Sequence, residues 1–143
     1  MREAIEEAKN GLLEGEVPIG AVLIDSSNRI LAKNHNRCIS LNDPTAHAEI
    51  LVIRQAAMLI KNYRLNSLTM FVTLEPCPMC MGAIINARLR MLIFGVFDQK
   101  SGAAGSLYNL ANDKRLNHQV EVISGIMEKE CKELLQEFFK GRR

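Results

Sequence analysis

The chain has 143 residues, a formal net charge of +2 and 48% hydrophobic residues. This length predicts a single domain spanning 1–143 that is large enough to bury a core, and the composition excludes a low-complexity or disordered chain. So small a net charge neither indicates nor excludes nucleic-acid binding. We expect a cytoplasmic protein with no membrane partner, because the sequence has neither an apolar signal segment at its start nor an apolar run of roughly 18 residues.

Hydrophobic spacing and turn residues predict four helices and five strands. In chain order these are a helix at 1–14, strands at 19–24 and 30–33, a helix at 46–60, a strand at 70–74, a helix at 78–89, strands at 92–96 and 119–123, and a helix at 127–139. The polar run Asp25-Ser26-Ser27-Asn28 predicts a hairpin between the first two strands. A hairpin followed by alternating strands and helices predicts an α/β fold, a three-layer sandwich with a mixed five-stranded sheet and helices on both faces.

Two short motifs supply residues that bind metals. His47-Ala48-Glu49 falls near the start of the second predicted helix, and Cys77-Pro78-Met79-Cys80 falls at the start of the third. His47, Cys77 and Cys80 offer three ligands of the kind that Zn²⁺ accepts, with no obvious fourth. Catalytic zinc sites keep three protein ligands and leave one position open, whereas structural sites are closed by four. The motifs therefore predict a catalytic zinc site.

Glu49 follows His47 too closely to serve as a further ligand with good geometry. A free carboxylate beside a metal site can accept a proton from the attacking water and pass it to the substrate. The spacing of Cys77 and Cys80 places both sulfurs on one side of a first helical turn, where the helix terminus favours thiolates. We therefore expect zinc-assisted hydrolysis with Glu49 as the catalytic proton carrier.

Two other interpretations of the cysteines stay open at this point. A Cys-x-x-Cys pair can be a thioredoxin-like redox site, although such a site has no need of a His-x-Glu motif. A structural zinc site would need a fourth ligand. The candidates are Cys38, His35, Cys131 and His118, of which Cys38 is the best. The simpler interpretation of Cys38 and Cys131 is that they are small apolar residues in a packed chain.

His-x-Glu followed by Pro-Cys-x-x-Cys resembles the signature of the zinc-dependent nucleoside and nucleobase deaminases. The similarity extends well beyond this signature to the bacterial tRNA adenosine deaminases of the TadA type. It is carried by the segments 15–22, 43–49, 94–106 and 131–140. The resemblance covers essentially the whole chain and implies a cytidine deaminase-like fold.

The resemblance implies hydrolytic conversion of adenosine to inosine at the wobble position, A34, of tRNA. It also implies a homodimer with one Zn²⁺ per subunit, held by His47, Cys77 and Cys80, and with Glu49 as the matching proton carrier. The expected partner is the anticodon stem-loop of tRNA, and DNA is not expected.

The resemblance also implies residues that contact the RNA. Asn36 matches a residue that contacts the flipped base, and Asp98 matches one that contacts the anticodon backbone. Lys100, in the same loop, would add positive charge for RNA. Phe139 and the basic tail 140–143 resemble a carboxy-terminal helix that helps to hold the anticodon loop. The simpler interpretation of Asp98 is that it only forms a turn.

Two alternative functions are compatible with the motifs. The first is deamination of a free base or nucleoside such as cytosine, guanine or cytidine, which would use the same zinc site without a basic rim. The second is an RNA-binding module that zinc stabilises and that has no catalytic activity. Glu49 argues against the second, because a structural site has no use for an unligated carboxylate at that position.

Overall fold

The computed structural model describes residues 1–142 and contains four helices and five strands in the predicted order. The elements are α1 (Arg2–Leu13), β1 (Gly20–Ile24), β2 (Ile30–His35), α2 (Ala48–Ile60), β3 (Thr69–Leu74), α3 (Pro78–Asn86), β4 (Met91–Val96), β5 (Glu121–Ile123) and α4 (Glu128–Lys140). Every helix in the described part of the chain is too short or too polar to span a lipid bilayer.

The five strands form one mixed sheet in the order β2-β1-β3-β4-β5. Strand β1 is antiparallel to both of its neighbours, whereas β3, β4 and β5 run parallel to one another. Helix α1 packs with α4, and α2 packs with α3, and across residues 1–142 the two pairs do not contact each other. The larger hydrophobic cluster contains the apolar sides of α2 and α3, and a smaller one joins α1 to α4. The predicted three-layer α/β sandwich is confirmed.

The strand directions bring four chain segments to one edge of the sheet. Strands β2, β3 and β4 all run the same way, so the residues that follow them, beginning with Asn36, Glu75 and Phe97, leave the sheet at the same edge. Helix α2 connects β2 to the parallel strand β3, so it begins at this edge as well. Ligand sites in α/β proteins commonly lie beyond the carboxyl ends of parallel strands.

Two helix boundaries differ from the predicted ones by more than one residue. Helix α2 begins at Ala48 instead of residue 46, because the carbonyl oxygen of Ala46 accepts a hydrogen bond from Arg37 and holds this segment extended. Helix α3 ends at Asn86 instead of residue 89, because Arg88 adopts a left-handed conformation with φ 62°. The helical spacing of apolar residues continues through Leu89, which is buried although it lies beyond the helix.

Replacing Gly20 by alanine is expected to lower the free energy of unfolding by about 3 kcal/mol or more. A Cβ atom at Gly20 would lie 1.9 Å from the carbonyl oxygen of Ala4 and 2.6 Å from the backbone nitrogen of Ala8, so α1 would have to move off the sheet. Gly141→Ala is the matched control, because a Cβ there meets nothing within 4 Å. Urea denaturation of both variants measures the difference, and equal stabilities would contradict the prediction.

Candidate active site

The three predicted metal ligands lie together at the shared edge of the sheet. His47 is the N-cap of α2 and Cys77 is the N-cap of α3, which has Pro78 in its first turn, a position where proline fits the helix. The Nδ1 atom of His47 lies 3.7 Å from the sulfur of Cys77 and 3.4 Å from the sulfur of Cys80. Their candidate ligand atoms all lie within 4.8 Å of one another, and no other such group forms among the described residues.

The separations in this group fit a tetrahedral zinc ion. Zn–N bonds of about 2.0–2.1 Å and Zn–S bonds of about 2.3 Å imply about 3.6 Å between a histidine nitrogen and a cysteine sulfur. The observed separations of 3.4 and 3.7 Å lie on either side of this value. One imidazole and two thiols are also a donor set that zinc prefers, and three ligands leave one position open. The arrangement therefore fits a catalytic metal site better than a closed structural one.

The two thiols of the group hold protons with different strength. The contacts with Cys80 and His47 lower the pKa of the Cys77 thiol to about 4, although burial opposes them. The same contact with Cys77, together with burial, raises the pKa of Cys80. The hydrogen bond to Cys77 raises the pKa of His47. Because zinc binds thiolate and neutral imidazole, a bound ion would displace the protons that these groups share.

Glu49 lies beside the cluster of His47, Cys77 and Cys80, which we call the metal group. It occupies the first turn of α2, is 3% exposed, and accepts a hydrogen bond from the Cys80 thiol at its Oε2 atom over 3.3 Å. Burial raises the pKa of the Glu49 carboxyl above its ordinary value. A carboxyl with a raised pKa exchanges protons closer to physiological pH, which suits a general acid and base. The structure thus places this carboxyl beside the three predicted ligands, and its role in proton transfer stays a prediction.

None of the four residues considered as a fourth ligand joins the group within residues 1–142. The ring nitrogens of His35 contact the carboxylates of Glu7 in α1 at 3.2 Å and of Glu14, directly after α1, at 2.9 Å. The Nε2 atom of His118 lies 2.8 Å from a backbone carbonyl oxygen. Cys131 is buried in the cluster between α1 and α4, and Cys38 is a half-buried free thiol. A closed site of four ligands therefore does not form from these residues.

Asn36 lies next to the metal group, directly after β2. It is 6% exposed, and its Oδ1 atom accepts a hydrogen bond from the backbone N–H of Ala48 at 2.8 Å. This bond satisfies one of the free N–H groups at the start of α2, which helps to fix the adjacent His47. Within residues 1–142 the Nδ2 atom of Asn36 makes no hydrogen bond and is not fully shielded from solvent. It is therefore available to a substrate.

Asp98 and Lys100 lie on the loop of residues 98–106, which follows β4. The Oδ1 atom of Asp98 accepts hydrogen bonds from the backbone N–H groups of Lys100 at 3.0 Å and Ser101 at 3.3 Å. Its Oδ2 atom accepts a hydrogen bond from the Ser101 hydroxyl at 2.7 Å. Asp98 therefore does form a turn, and the Lys100 side chain is exposed beside it. Contact of either residue with RNA stays a prediction.

Phe139 lies apart from this group of residues. It is half exposed on α4, which packs against α1, β3 and β4 and, in the described structure, not against the helices at whose starts the predicted metal ligands lie. The guanidinium of Arg142 in the predicted basic tail stacks on the ring of Phe138 at 3.8 Å from its centroid. Arg143, the last residue of that tail, lies outside the described residues. A role of Phe139 in holding RNA stays a prediction.

A buried carboxyl at the same edge was missed from the sequence. Glu75 lies between β3 and Cys77, is 2% exposed, and accepts hydrogen bonds from the loop of residues 98–106. Its partners are more than 20 residues away in sequence, so no local spacing indicates them. The available signal was a single charged residue at the end of a nearly continuous apolar strand.

Comparison with known proteins places this geometry in a family. The MafB19-like deaminase family matches residues 1–143. The chain is 47% identical over 143 residues to the tRNA-specific adenosine deaminase of Haemophilus influenzae, covering all of this chain and 83% of the relative. It is 48% identical over 143 residues to the enzyme of the same name from Bacillus subtilis, covering all of this chain and 88% of that protein.

A solved structure from biochemical and structural work on A-to-I editing by tRNA:A34 deaminases superposes with a TM-score of 0.91 and 44% identity. The match covers 94% of this chain and 97% of that one. Sequence and fold therefore agree over nearly the full length of the chain, which belongs to the family of tRNA-specific adenosine deaminases.

Proposed function

We propose that this protein is a single-domain, zinc-dependent enzyme that hydrolyses the adenosine at position 34 of tRNA to inosine. The observation that carries the proposed chemistry is the buried carboxyl of Glu49 beside three ligands with tetrahedral separations. The tRNA substrate is inferred from relatives that are 47% and 48% identical over the whole chain. The cytoplasm is the proposed compartment, since all four cysteines of the chain are free thiols and tRNA is present there.

In this scheme the chain holds zinc with His47, Cys77 and Cys80. Zinc, when bound, would supply Lewis-acid activation of water. Glu49 takes a proton from the attacking water and delivers it to N1 of adenine as C6 is attacked. The same carboxyl then takes the second proton of that water from the new hydroxyl group at C6 and gives it to the amino group, so that the C–N bond breaks and ammonia leaves. Burial of Glu49 limits exchange of these protons with bulk solvent.

The substrate base has to leave its stack to reach a buried carboxyl, and an unpaired loop nucleotide does so at least cost. We assign Asn36 to the base, because its Nδ2 atom is free to donate a hydrogen bond while Oδ1 is used by Ala48. Asp98 and Lys100 are assigned to the anticodon backbone, and Phe139 is assigned to the outer part of the anticodon loop.

The test of this function is incubation of the purified zinc protein with bulk tRNA, free cytosine, guanine and cytidine. Inosine in tRNA without ammonia from the free compounds supports the proposal. Ammonia from a free base or cytidine identifies a small-molecule deaminase instead. Neither product, in a preparation with one zinc per chain, identifies a non-catalytic module.

Asn36→Asp is expected to lower kcat/KM for an anticodon stem-loop RNA by about 10- to 100-fold while stability stays near wild type. Aspartate keeps an oxygen for the N–H of Ala48, whereas an oxygen that accepts hydrogen bonds and carries negative charge replaces the Nδ2 donor. Asn36→Ala is the matched comparison, because it loses both groups and is expected to cost about 1 kcal/mol of stability as well. Initial rates and urea denaturation measure the two effects. Undiminished activity of Asn36→Asp would remove Asn36 from the base-binding site.

We further propose that the protein is a homodimer formed through the side of the sheet covered by α2 and α3. The end of α2 and the turn after it present Met58 at 80%, Leu59 at 60% and Tyr63 at 70% exposure, and such neighbouring apolar side chains are typical of interfaces. Met58→Asp is expected to shift the protein to monomers in sedimentation velocity. Leu13→Asp is the control, since Leu13 is 87% exposed on the opposite helix layer. A monomeric wild type would contradict the proposal.

A further inference from the structure

The carboxyl of Glu75 is surrounded by hydrogen-bond donors from a single loop. Its Oε1 atom accepts a hydrogen bond from the backbone N–H of Asp98 at 2.9 Å and another from the Ser106 hydroxyl. Its Oε2 atom accepts from the backbone N–H groups of Ala104 at 2.9 Å and Ser106 at 3.0 Å. Both ends of the loop of residues 98–106 are therefore tied to one side chain.

The backbone around Glu75 is tied to the same loop. The carbonyl oxygen of Pro76 accepts a hydrogen bond from the N–H of Ala103 at 2.8 Å. Gly102 packs so closely that a Cβ atom there would lie 2.3 to 2.5 Å from the carboxyl atoms of Glu75. The loop thus closes around the carboxyl, and no larger residue fits at position 102 without moving one of them.

Glu75 is also two residues from the metal ligand Cys77, and the intervening Pro76 restricts the backbone. The position of the loop relative to the metal group is therefore set through a short and stiff connection. The same loop carries Asp98 and Lys100, the two residues proposed to contact the anticodon backbone.

We propose that Glu75 is a positioning residue for the deamination. It holds the loop of residues 98–106 in a fixed position relative to the metal group, so that RNA bound by the loop presents its base to Glu49. This inference rests on the proposed function, because the ligand of the loop is taken to be RNA. Loss of the acceptor for the Asp98 N–H would loosen the end of the loop where residues 99–101 are exposed, while the buried residues 102–104, the sheet and the predicted metal ligands keep their own contacts.

The test compares Glu75→Gln with Ser106→Ala. Glutamine keeps one oxygen for Ala104 and Ser106, and its amide can donate to the Ser106 hydroxyl, so only the N–H of Asp98 loses its acceptor. Ser106→Ala removes a hydroxyl from the same carboxyl and leaves the three backbone bonds in place. The N–H of Asp98 therefore keeps its hydrogen bond to residue 75 in Ser106→Ala and loses it in Glu75→Gln.

For Glu75→Gln we expect KM for an anticodon stem-loop RNA to rise about 10-fold or more, with kcat within about 3-fold of wild type and one zinc per chain. Amide hydrogen exchange at Asp98 and Lys100 should become about 10-fold faster, and exchange in β3 and β4 should stay unchanged. Ser106→Ala should stay within about 3-fold of wild type in both measurements. Gly102→Ala should displace the loop while residue 75 stays glutamate, and we expect it to raise KM in the same way. It serves as the test if Glu75→Gln fails to fold.

Unchanged exchange at Asp98 in Glu75→Gln, or a fall in kcat with KM unchanged, would overturn the inference. In a Glu75→Gln variant that folds, loss of zinc or faster exchange throughout the sheet would also overturn it, because Glu75 would then support the fold and not the loop. A wild type that leaves RNA unchanged refutes the proposed function alone. In that case the exchange measurements still decide whether Glu75 holds the loop.

Discussion

Glu49→Ala is expected to abolish deamination of tRNA while the protein stays folded and keeps one zinc per chain. General acid and base catalysis contributes about 10²- to 10⁴-fold to a rate, and Glu49 is placed to carry every proton in the proposed reaction, so a loss at the upper end of this range is expected. Zinc should remain, because Glu49 contacts the Cys80 thiol from outside the group of three ligands.

Two further variants test whether the loss of activity comes from the missing proton exchange at position 49. Glu49→Gln keeps the volume of the buried side chain and removes its ability to exchange protons, so it should be as inactive as Glu49→Ala. Gln55→Ala, on the exposed side of the same helix, should retain full activity. Single-turnover formation of inosine and elemental analysis of zinc measure the outcome. Deamination at near wild-type rates in Glu49→Ala, or loss of zinc from it, would refute its role as proton carrier.

The proximity of the metal-group residues and Glu49 could be predicted from the sequence because they come from two short motifs, each confined to a few consecutive residues. His47 and Glu49 are two residues apart, Cys77 and Cys80 share one helical turn, and a buried strand before the cysteines indicates the edge at which a site forms. The two motifs meet because β2 and β3 are parallel, with α2 crossing between them. The predicted hairpin and helix–strand alternation were sufficient to indicate this arrangement.

What could not be predicted depends on contacts between distant parts of the chain. The role of Glu75 comes from donors at Asp98, Ala104 and Ser106, which only the fold brings together. The end of α3 is set by the left-handed conformation of Arg88, which the helical spacing of apolar residues does not reveal. The position of Phe139 follows from the packing of α4 on the sheet. The position of Phe139 within its helix does not indicate which face of the sheet that helix covers.

Cys77→Ser is expected to remove zinc, activity and part of the stability together. Replacing partners that only orient zinc ligands already weakens metal binding by about 10- to 100-fold, so losing one of three ligands should weaken it more than about 100-fold. Zinc that binds only the folded chain stabilises it by about 2.7 kcal/mol at 100 times its dissociation constant, and this contribution should disappear. Cys38→Ser is the matched control, since Cys38 is also a half-buried free thiol and lies outside the group.

The comparison of Cys77→Ser with Glu49→Ala separates metal binding from proton transfer. Zinc content, initial rate and urea denaturation of both variants should show that Glu49→Ala loses the rate alone, whereas Cys77→Ser loses all three. A chelator should bring the stability of wild type down to that of Cys77→Ser and leave Cys77→Ser unchanged. Stoichiometric zinc in active Cys77→Ser would mean that His47, Cys77 and Cys80 are not the ligands. An inactive Cys77→Ser with its zinc retained would restrict the role of Cys77 to the catalytic step.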